Sequence, residues 1–166
     1  MNHSAITRPE HWPKGIFVNW WITQKSGEKI SKSKGGAVPI PDAITRYGVD
    51  TMRLYYAHIG SPYVDIEWDD GNVDNYKSRL VKIWNIHEQL LKMKRDKTGS
   101  IDDWLEAIFN QKVNDAMEAM EDYELRKAAN IIFFDIYNAF QWYIERGGKN
   151  GKVAKELVKQ WIRIIC

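Results

Sequence analysis

Between Tyr76 and Ile165, apolar residues recur at steps of three and four in four successive runs, a spacing that only amphipathic helices satisfy. The first run is Tyr76, Leu80, Ile83, Trp84, His87 and Leu91. The second is Ile101, Trp104, Ile108, Val113, Met117 and Met120, opened by a Ser100 cap that Asp102 and Asp103 support at the positive helix end. Leu125, Ala129, Ile132, Ile136, Phe140 and Tyr143 form the third, which stops at Gly147-Gly148. The fourth runs through Val153, Leu157 and Trp161 to Ile164 or Ile165. A break at Lys97-Thr98-Gly99-Ser100 reads as a helix–helix loop. Helices joined this closely can bury their stripes only against each other, so residues 71–166 are predicted to form an antiparallel helical bundle. The fold class is mainly α. The last stripe reaches Cys166 without a polar cap, which predicts that the natural chain continues.

The N-terminal part reads differently. Ile16 to Thr23 is β-branched and aromatic and follows Pro13 and Gly15, a strand signal; Ser26-Gly27 then supplies a turn for a short β-hairpin. A helix is predicted from Pro41-Asp42 to Gly48, and another from Asp50 or Thr51 to Ile59. Val64 to Trp68 alternates and predicts one more short strand.

Composition removes several functional classes. With 166 residues and 44% hydrophobic content, a packed core is accessible. The single cysteine, Cys166, excludes a disulfide framework and a cysteine-rich zinc site. His3, His11 and His87 have no metal-ligand spacing, and His87 on the first stripe reads as a satisfied core residue. No apolar run approaches the roughly 20 residues needed to span a bilayer. Arg8, Glu10, His11 and Lys14 interrupt any signal-peptide core, which makes the reducing cytoplasm the simplest setting and Asn2-His3-Ser4 irrelevant as a glycosylation site. The net charge of +2 does not by itself indicate a nucleic-acid ligand. It is unevenly spread: residues 1–99 carry +4 and residues 100–166 carry −2. Trp84, Trp104 and Trp161 lie on helix stripes and read as core packing rather than base-stacking groups.

One stretch carries chemistry. Lys29-Ile30-Ser31-Lys32-Ser33-Lys34-Gly35 concentrates positive charge on a serine-rich, glycine-ended loop. Such a loop suits polyphosphate, because ammonium groups supply Coulomb attraction while free backbone N–H groups and hydroxyls supply donors. Lysine, a compact charge on a flexible stem, can follow phosphate oxygens as they move. A second basic run, Lys92, Lys94, Arg95 and Lys97, reads either as a solvated helix end or as a group of phosphate contacts near the bundle edge.

Lys-Ile-Ser-Lys-Ser resembles the Lys-Met-Ser-Lys-Ser signature of class I aminoacyl-tRNA synthetases, with Ile30 at the tolerant apolar position. The flanks resemble those of archaeal-type leucyl-tRNA synthetases: His11-Trp12-Pro13-Lys14-Gly15-Ile16-Phe17-Val18-Asn19, Tyr47-Gly48-Val49-Asp50, Arg53-Leu54-Tyr55 and Phe140-Gln141-Trp142-Tyr143. The resemblance implies three parts: residues 1–36 ending a Rossmann-type catalytic domain, 37–70 a stem-contact region, and 71–166 an anticodon-binding bundle, incomplete at its C-terminus. It implies ATP as substrate with Mg2+ accompanying it, leucine and tRNA(Leu) as partners with the remainder of the catalytic domain, and no metal site in this chain. It further implies that Lys29 and Lys32 are catalytic and that Lys29, Ser31, Lys32 and Ser33 bind ATP; the basic run Lys92, Lys94, Arg95 and Lys97 is the weaker candidate for tRNA contacts, with a solvated helix end as its alternative.

Gly36 and Trp20 depart from the family pattern, where Asn and Gly are usual. His58-Ile59-Gly60-Ser61 is similar to the other class I signature, His-Ile-Gly-His, but lies downstream of the lysine loop at the end of an amphipathic helix, so it reads as a helix stop. Without a counterpart of that motif, the isolated chain is expected to be inactive. Two alternatives stay open at this point: the equivalent piece of an isoleucine, valine, methionine or cysteine enzyme, and a non-catalytic helical module that binds tRNA or protein.

Overall fold

The computed structural model describes residues 8–13, 15, 16, 18, 21–23, 40–60, 63–94 and 98–166. After a short 3-10 turn at Pro9–His11, strand β1 (Ile22–Thr23) pairs in parallel with β2 (Ile66–Glu67), Ile22 opposite Ile66. The ladder extends on both sides through Ile66 N–H to the Trp21 carbonyl (2.7 Å) and Trp68 N–H to the Thr23 carbonyl (2.8 Å). The short strand read from Val64–Trp68 is therefore present. The partner strand and turn expected for an N-terminal hairpin lie outside the described residues.

Helices α1 (Ile40–Tyr47) and α2 (Val49–Ile59) connect the two strands. They meet at Gly48, whose φ of 88° places it in the left-handed region that glycine enters without steric cost. That single residue turns the chain so that Ala43 and Tyr47 of α1 share a core with Tyr55 of α2, Ile66 of β2 and Val73.

The bundle follows: α3 (Asp70–Lys92), α4 (Ser100–Glu121), α5 (Leu125–Asn130), a π-turn over Ile131–Asp135, α6 (Ile136–Glu145) and α7 (Gly151–Ile165). Asp69 caps α3 by accepting the Gly71 N–H at 2.9 Å. For α4 the expected Ser100 cap is displaced by one residue. Gly99 is the cap, and the Asp102 carboxylate, on the third helical residue, reaches back to accept its N–H at 2.8 Å, the return half of a capping box. Ile83, Leu90, Leu105, Phe109, Phe140, Leu157 and Trp161 fill the core.

Three expectations for the stripes need correction. Met117 and Met120, read as the end of the second stripe, are exposed, and the buried side of α4 is Leu105, Phe109, Ala116 and Ala119. Trp84 is not a core residue: it is 67% exposed, and the inward face of α3 is Ile83, Ile86, His87 and Leu90. Trp and Ile are equally apolar in a sequence pattern, and Trp84 and Ile83 sit only 100° apart on the helix, so periodicity alone did not separate them. The third stripe is also not one continuous α-helix. The π-turn inserts extra backbone, so Ile131 rather than Ile132 is buried while Ala129 and Ile136 stay so, and the Ile132 carbonyl accepts the Trp161 indole N–H at 2.9 Å. Arg79 lies over Phe134 and Tyr137 (4.5 and 4.8 Å to the ring centroids), fastening α3 to this irregular stretch.

Candidate nucleic-acid interface

The lysine loop, with Lys29, Ser31, Lys32 and Ser33, lies outside the described residues, as do Trp20, Gly36, Arg95 and Lys97. Its two anchors are described. The chain leaves the parallel ladder at Thr23 and re-enters at Ile40, the first residue of α1. The elements on either side, β1 through Ile22 and α1 through Ala43 and Tyr47, pack into one aromatic cluster. Tyr55 sits edge-on to Tyr56, Trp68 and Tyr76, and Tyr47 is edge-on to Trp68. The tyrosine hydroxyls tie this cluster to the backbone and to α3. Tyr55 donates to the Glu67 carbonyl of β2 at 2.9 Å, and Tyr47 donates to the Asp70 carboxylate. Burial pushes the Tyr47 phenol up to about 12, aided by its bond to the Asp70 carboxylate; burial also lifts Tyr55 to about 12. The cluster is thus a neutral, hydrogen-bonded platform from which the loop departs.

His58, in the motif read as a helix stop, touches this cluster at Tyr76 and otherwise faces the bundle. Its Nδ1 meets the Tyr76 hydroxyl at 2.6 Å, Nε2 lies 3.4 Å from Asn130 Oδ1, and the ring stacks on Phe134 at 4.7 Å. Burial holds its pKa below the usual imidazole value, so the ring is a neutral wedge between α2, α3 and α5. Gly60 ends α2 with its N–H on the Tyr56 carbonyl, which agrees with reading that motif as a helix stop. His87 is buried as expected, with Nδ1 2.7 Å from the Ile83 carbonyl and its ring stacked on Trp161 at 4.5 Å. Its satisfaction is incomplete: Nε2 has no hydrogen-bond partner among the described residues, and burial lowers its pKa.

Lys92 and Lys94 are both exposed at the end of α3, and Lys92 is held to Glu88 at 3.1 Å. The structure adds neighbours that the sequence reading missed. Gly151, which opens α7, donates its N–H to the Lys94 carbonyl at 2.8 Å. A Cβ at position 151 would come within 2.3 Å of the Met93 carbonyl oxygen, so only glycine permits this approach. The same corner is locked by a buried polar knot. Tyr143 donates to Asp102 at 2.6 Å and accepts the Asn150 N–H at 3.0 Å, while the Asn150 side-chain amide donates to Thr98 at 3.0 Å. Burial first, and then the Asp102 carboxylate, raise the Tyr143 pKa and keep the phenol protonated.

From that corner, Lys149, Lys152, Lys155, Lys159 and Arg163 follow one another at helical spacing along the outer side of α7, with Glu156 as the only acid among residues 149–163. The buried side of the helix is Ala154, Leu157, Val158 and Trp161. None of the described ion pairs involves these five cations. The signal was present in the sequence as a charge period, but the average charge of −2 over residues 100–166 concealed it, because α4 and its turn carry eight acids against one lysine over residues 100–124. The bundle therefore carries a cationic ridge on α7 and an acidic α4. Such a ridge can neutralise backbone phosphates without reading bases.

Among the described residues there is no group of three or more His, Cys, Asp or Glu side chains that could hold a metal ion, and no helix long and apolar enough to cross a membrane. Residues 3–85 match a family model described as tRNA synthetases class I (M). The chain belongs to the class I tRNA synthetases. Residues 102–166 of this synthetase chain match a second model, the anticodon-binding domain of tRNA ligase. The chain is 32% identical over 165 residues to the leucine–tRNA ligase of Archaeoglobus fulgidus, covering 99% of itself and 17% of that relative. It is likewise 32% identical over 173 residues to the leucine–tRNA ligase of Pyrococcus abyssi, covering 99% and 18%. It thus spans less than a fifth of the length of these curated relatives. The fold is shared with an Agrobacterium radiobacter K84 LeuRS solved in a ternary LeuRS–tRNA–LeuAMS complex, at a TM-score of 0.77 and 14% identity over 90% of this chain and 20% of that one.

Proposed function

We propose that this synthetase chain works as part of a leucine–tRNA ligase in the cytoplasm, supplying the lysine loop for ATP-dependent leucine activation and a cationic bundle face for tRNA(Leu). The observation that carries the reading is similarity to leucine–tRNA ligases over 99% of the chain, together with Lys-Ile-Ser-Lys-Ser between Thr23 and Ile40. In this reading a leucine carboxylate oxygen attacks the α-phosphorus of ATP and pyrophosphate leaves. Lys29 and Lys32 stabilise the charge that grows on the phosphates, and Ser31 and Ser33 donate hydrogen bonds to them. Mg2+ accompanies the nucleotide. Stabilisation that strengthens only as charge develops lowers the barrier rather than merely tightening substrate binding. The division into 1–36, 37–70 and 71–166 as catalytic end, stem-contact region and anticodon-binding bundle belongs to the same proposal.

Lys92, Lys94, Arg95 and Lys97 and the α7 ridge form one phosphate-binding surface in this account, since Gly151 brings the end of α3 against the start of α7. The deciding experiment is Lys32→Ala in the longer enzyme, read by leucine-dependent pyrophosphate exchange. A fall of about 10²-fold or more is expected for the loss of one transition-state contact; an unchanged rate rejects the role. For the bundle, tRNA affinity should fall as salt rises, and replacing Lys152, Lys155 and Lys159 with Gln should flatten that dependence.

A further inference from the structure

The far end of α4 carries a feature that neither ATP chemistry nor phosphate binding uses. Met117, Met120 and Tyr123 are 58%, 51% and 68% exposed and follow one another at steps of three. Tyr123 has a φ of 60°, among the described residues the only non-glycine in the left-handed region. It occupies the stop position of α4: its N–H meets the Met120 carbonyl at 3.2 Å, and the Glu124 N–H meets the Ala119 carbonyl at 2.8 Å. Glycine is the favoured residue for that arrangement, and an L side chain there is strained. A solvent-facing tyrosine thus stands where glycine would make the more stable protein. Around it lie Asp115, Glu118, Glu121, Asp122 and Glu124, with no Lys or Arg between positions 113 and 125. Glu124 is paired with Lys127 at 2.9 Å; none of the described ion pairs involves the other four acids.

We propose that this acid-rimmed ridge of Met117, Met120 and Tyr123 is a docking surface for a cationic amphipathic polypeptide segment. Charge selects the occupant. RNA phosphate is repelled by the acids, and a second copy of the same face would set like charges against each other across a two-fold contact. A segment presenting Lys or Arg beside aliphatic side chains meets both requirements: its ammonium groups face the carboxylates, and its apolar row covers the ridge. Methionine suits such a surface because its unbranched thioether adapts to the shape laid on it, and tyrosine supplies a rigid anchor.

The test uses the 166-residue chain with 13C-methyl-labelled methionine and a synthetic amphipathic helix of lysine and leucine as probe. The Met117 and Met120 methyl resonances should shift and saturate with the peptide, whereas oligolysine of equal charge should bind much more weakly. Tyr123→Gly should weaken the peptide by about tenfold, as loss of an aromatic anchor does, while raising the thermal midpoint by relieving the left-handed strain. A raised midpoint with undiminished peptide affinity overturns the proposal, as does equal binding of oligolysine. Shifts of these methyls on adding tRNA, or on concentrating the chain without peptide, would give the surface to RNA or to self-association and also overturn it.

Discussion

The described residues form two cores built on different chemistry. The one beside the lysine loop is small and tyrosine-rich: Tyr47 and Tyr55 reach out of it to hydrogen-bond Asp70 and the Glu67 backbone, and Trp68 and Tyr76 meet them edge-on. The bundle core is aliphatic and phenyl-rich, with Trp161 stacked between His87 and Phe140. Aliphatic packing is non-directional and tolerates adjustment, whereas hydroxyls bonded to named acceptors fix register and angle. The small core is therefore fixed in geometry where β1 and α1 meet it; the large one supplies stability and carries the charged faces on its outside.

Substitutions should separate these roles. Trp161→Ala should be the most damaging, costing about 3–5 kcal/mol for a fully buried aromatic, because it also removes the indole bond to the Ile132 carbonyl. Urea unfolding followed by far-UV circular dichroism measures it; a loss under about 1 kcal/mol would mean that the bundle core is not the stabilising unit. Tyr143→Phe comes next, at about 1–3 kcal/mol for leaving buried partners unpaired, since Asp102 and the Asn150 N–H both lose their hydroxyl. Tyr55→Phe in the small core removes one bond, to the Glu67 carbonyl, and should cost about 1 kcal/mol. Its larger effect belongs in the longer enzyme, where pyrophosphate exchange should fall more than stability does. Equal falls would erase the distinction between the two cores.

The contrast explains what was legible beforehand. Helix positions in the bundle followed from spacing alone, because burial of a stripe depends on a pattern that the sequence displays directly. Gly48 and Gly147-Gly148 marked helix ends for the same local reason. The π-turn at Ile131–Asp135 was hidden: its residues are ordinary helix formers in composition, and the carbonyl that Trp161 engages is a tertiary acceptor. Trp84 misled because an apolar side chain adjacent to a stripe is indistinguishable from a member of it. The lysine loop lies outside the described residues, and its assignment rests on residue type and order alone. The α7 ridge became legible only when charge was read with helical period instead of averaged, and its junction with Lys94 depends on the Gly151 contact, which no linear pattern encodes.

Protons probe both regions at once. His58 lies at the seam between α2 and the bundle, His87 inside the bundle, and burial depresses the pKa of each. A folded pKa below the unfolded value of about 6.5 means that the unfolded chain binds the proton more readily. The stability these rings contribute is therefore complete above the unfolded pKa and is lost as pH falls through the folded value. The His58 and His87 resonances followed by NMR should titrate below the free imidazole range. The seam should loosen with His58, seen as earlier amide exchange in α2 than in α3; simultaneous loss of protection in both would make the cores one cooperative unit. At the alkaline end the sign reverses in form but not in consequence. With folded tyrosine pKa values near 12 for Tyr47 and Tyr55, stability holds below about pH 10 and declines as pH rises toward 12.

Arg79→Lys should have the smallest effect and give the finest test of how the two regions are joined. Arg79 arises from α3 three residues after Tyr76, yet its guanidinium covers Phe134 and Tyr137 on the π-turn and α6. Tyr76 packs on His58, and His58 stacks on Phe134, so the contact closes a ring of aromatic groups between the small core and the bundle. Lysine keeps the charge but loses the flat face that lies against two rings, and the exchange should cost about 0.5–1 kcal/mol. If the ring couples the cores, Arg79→Lys and His58→Gln will be non-additive in a double-mutant cycle, each weakening what the other still holds. Additive losses would mean that the small core and the bundle are joined by the packing of α2 on α3 and α5, and that the aromatic ring fills space without coupling them.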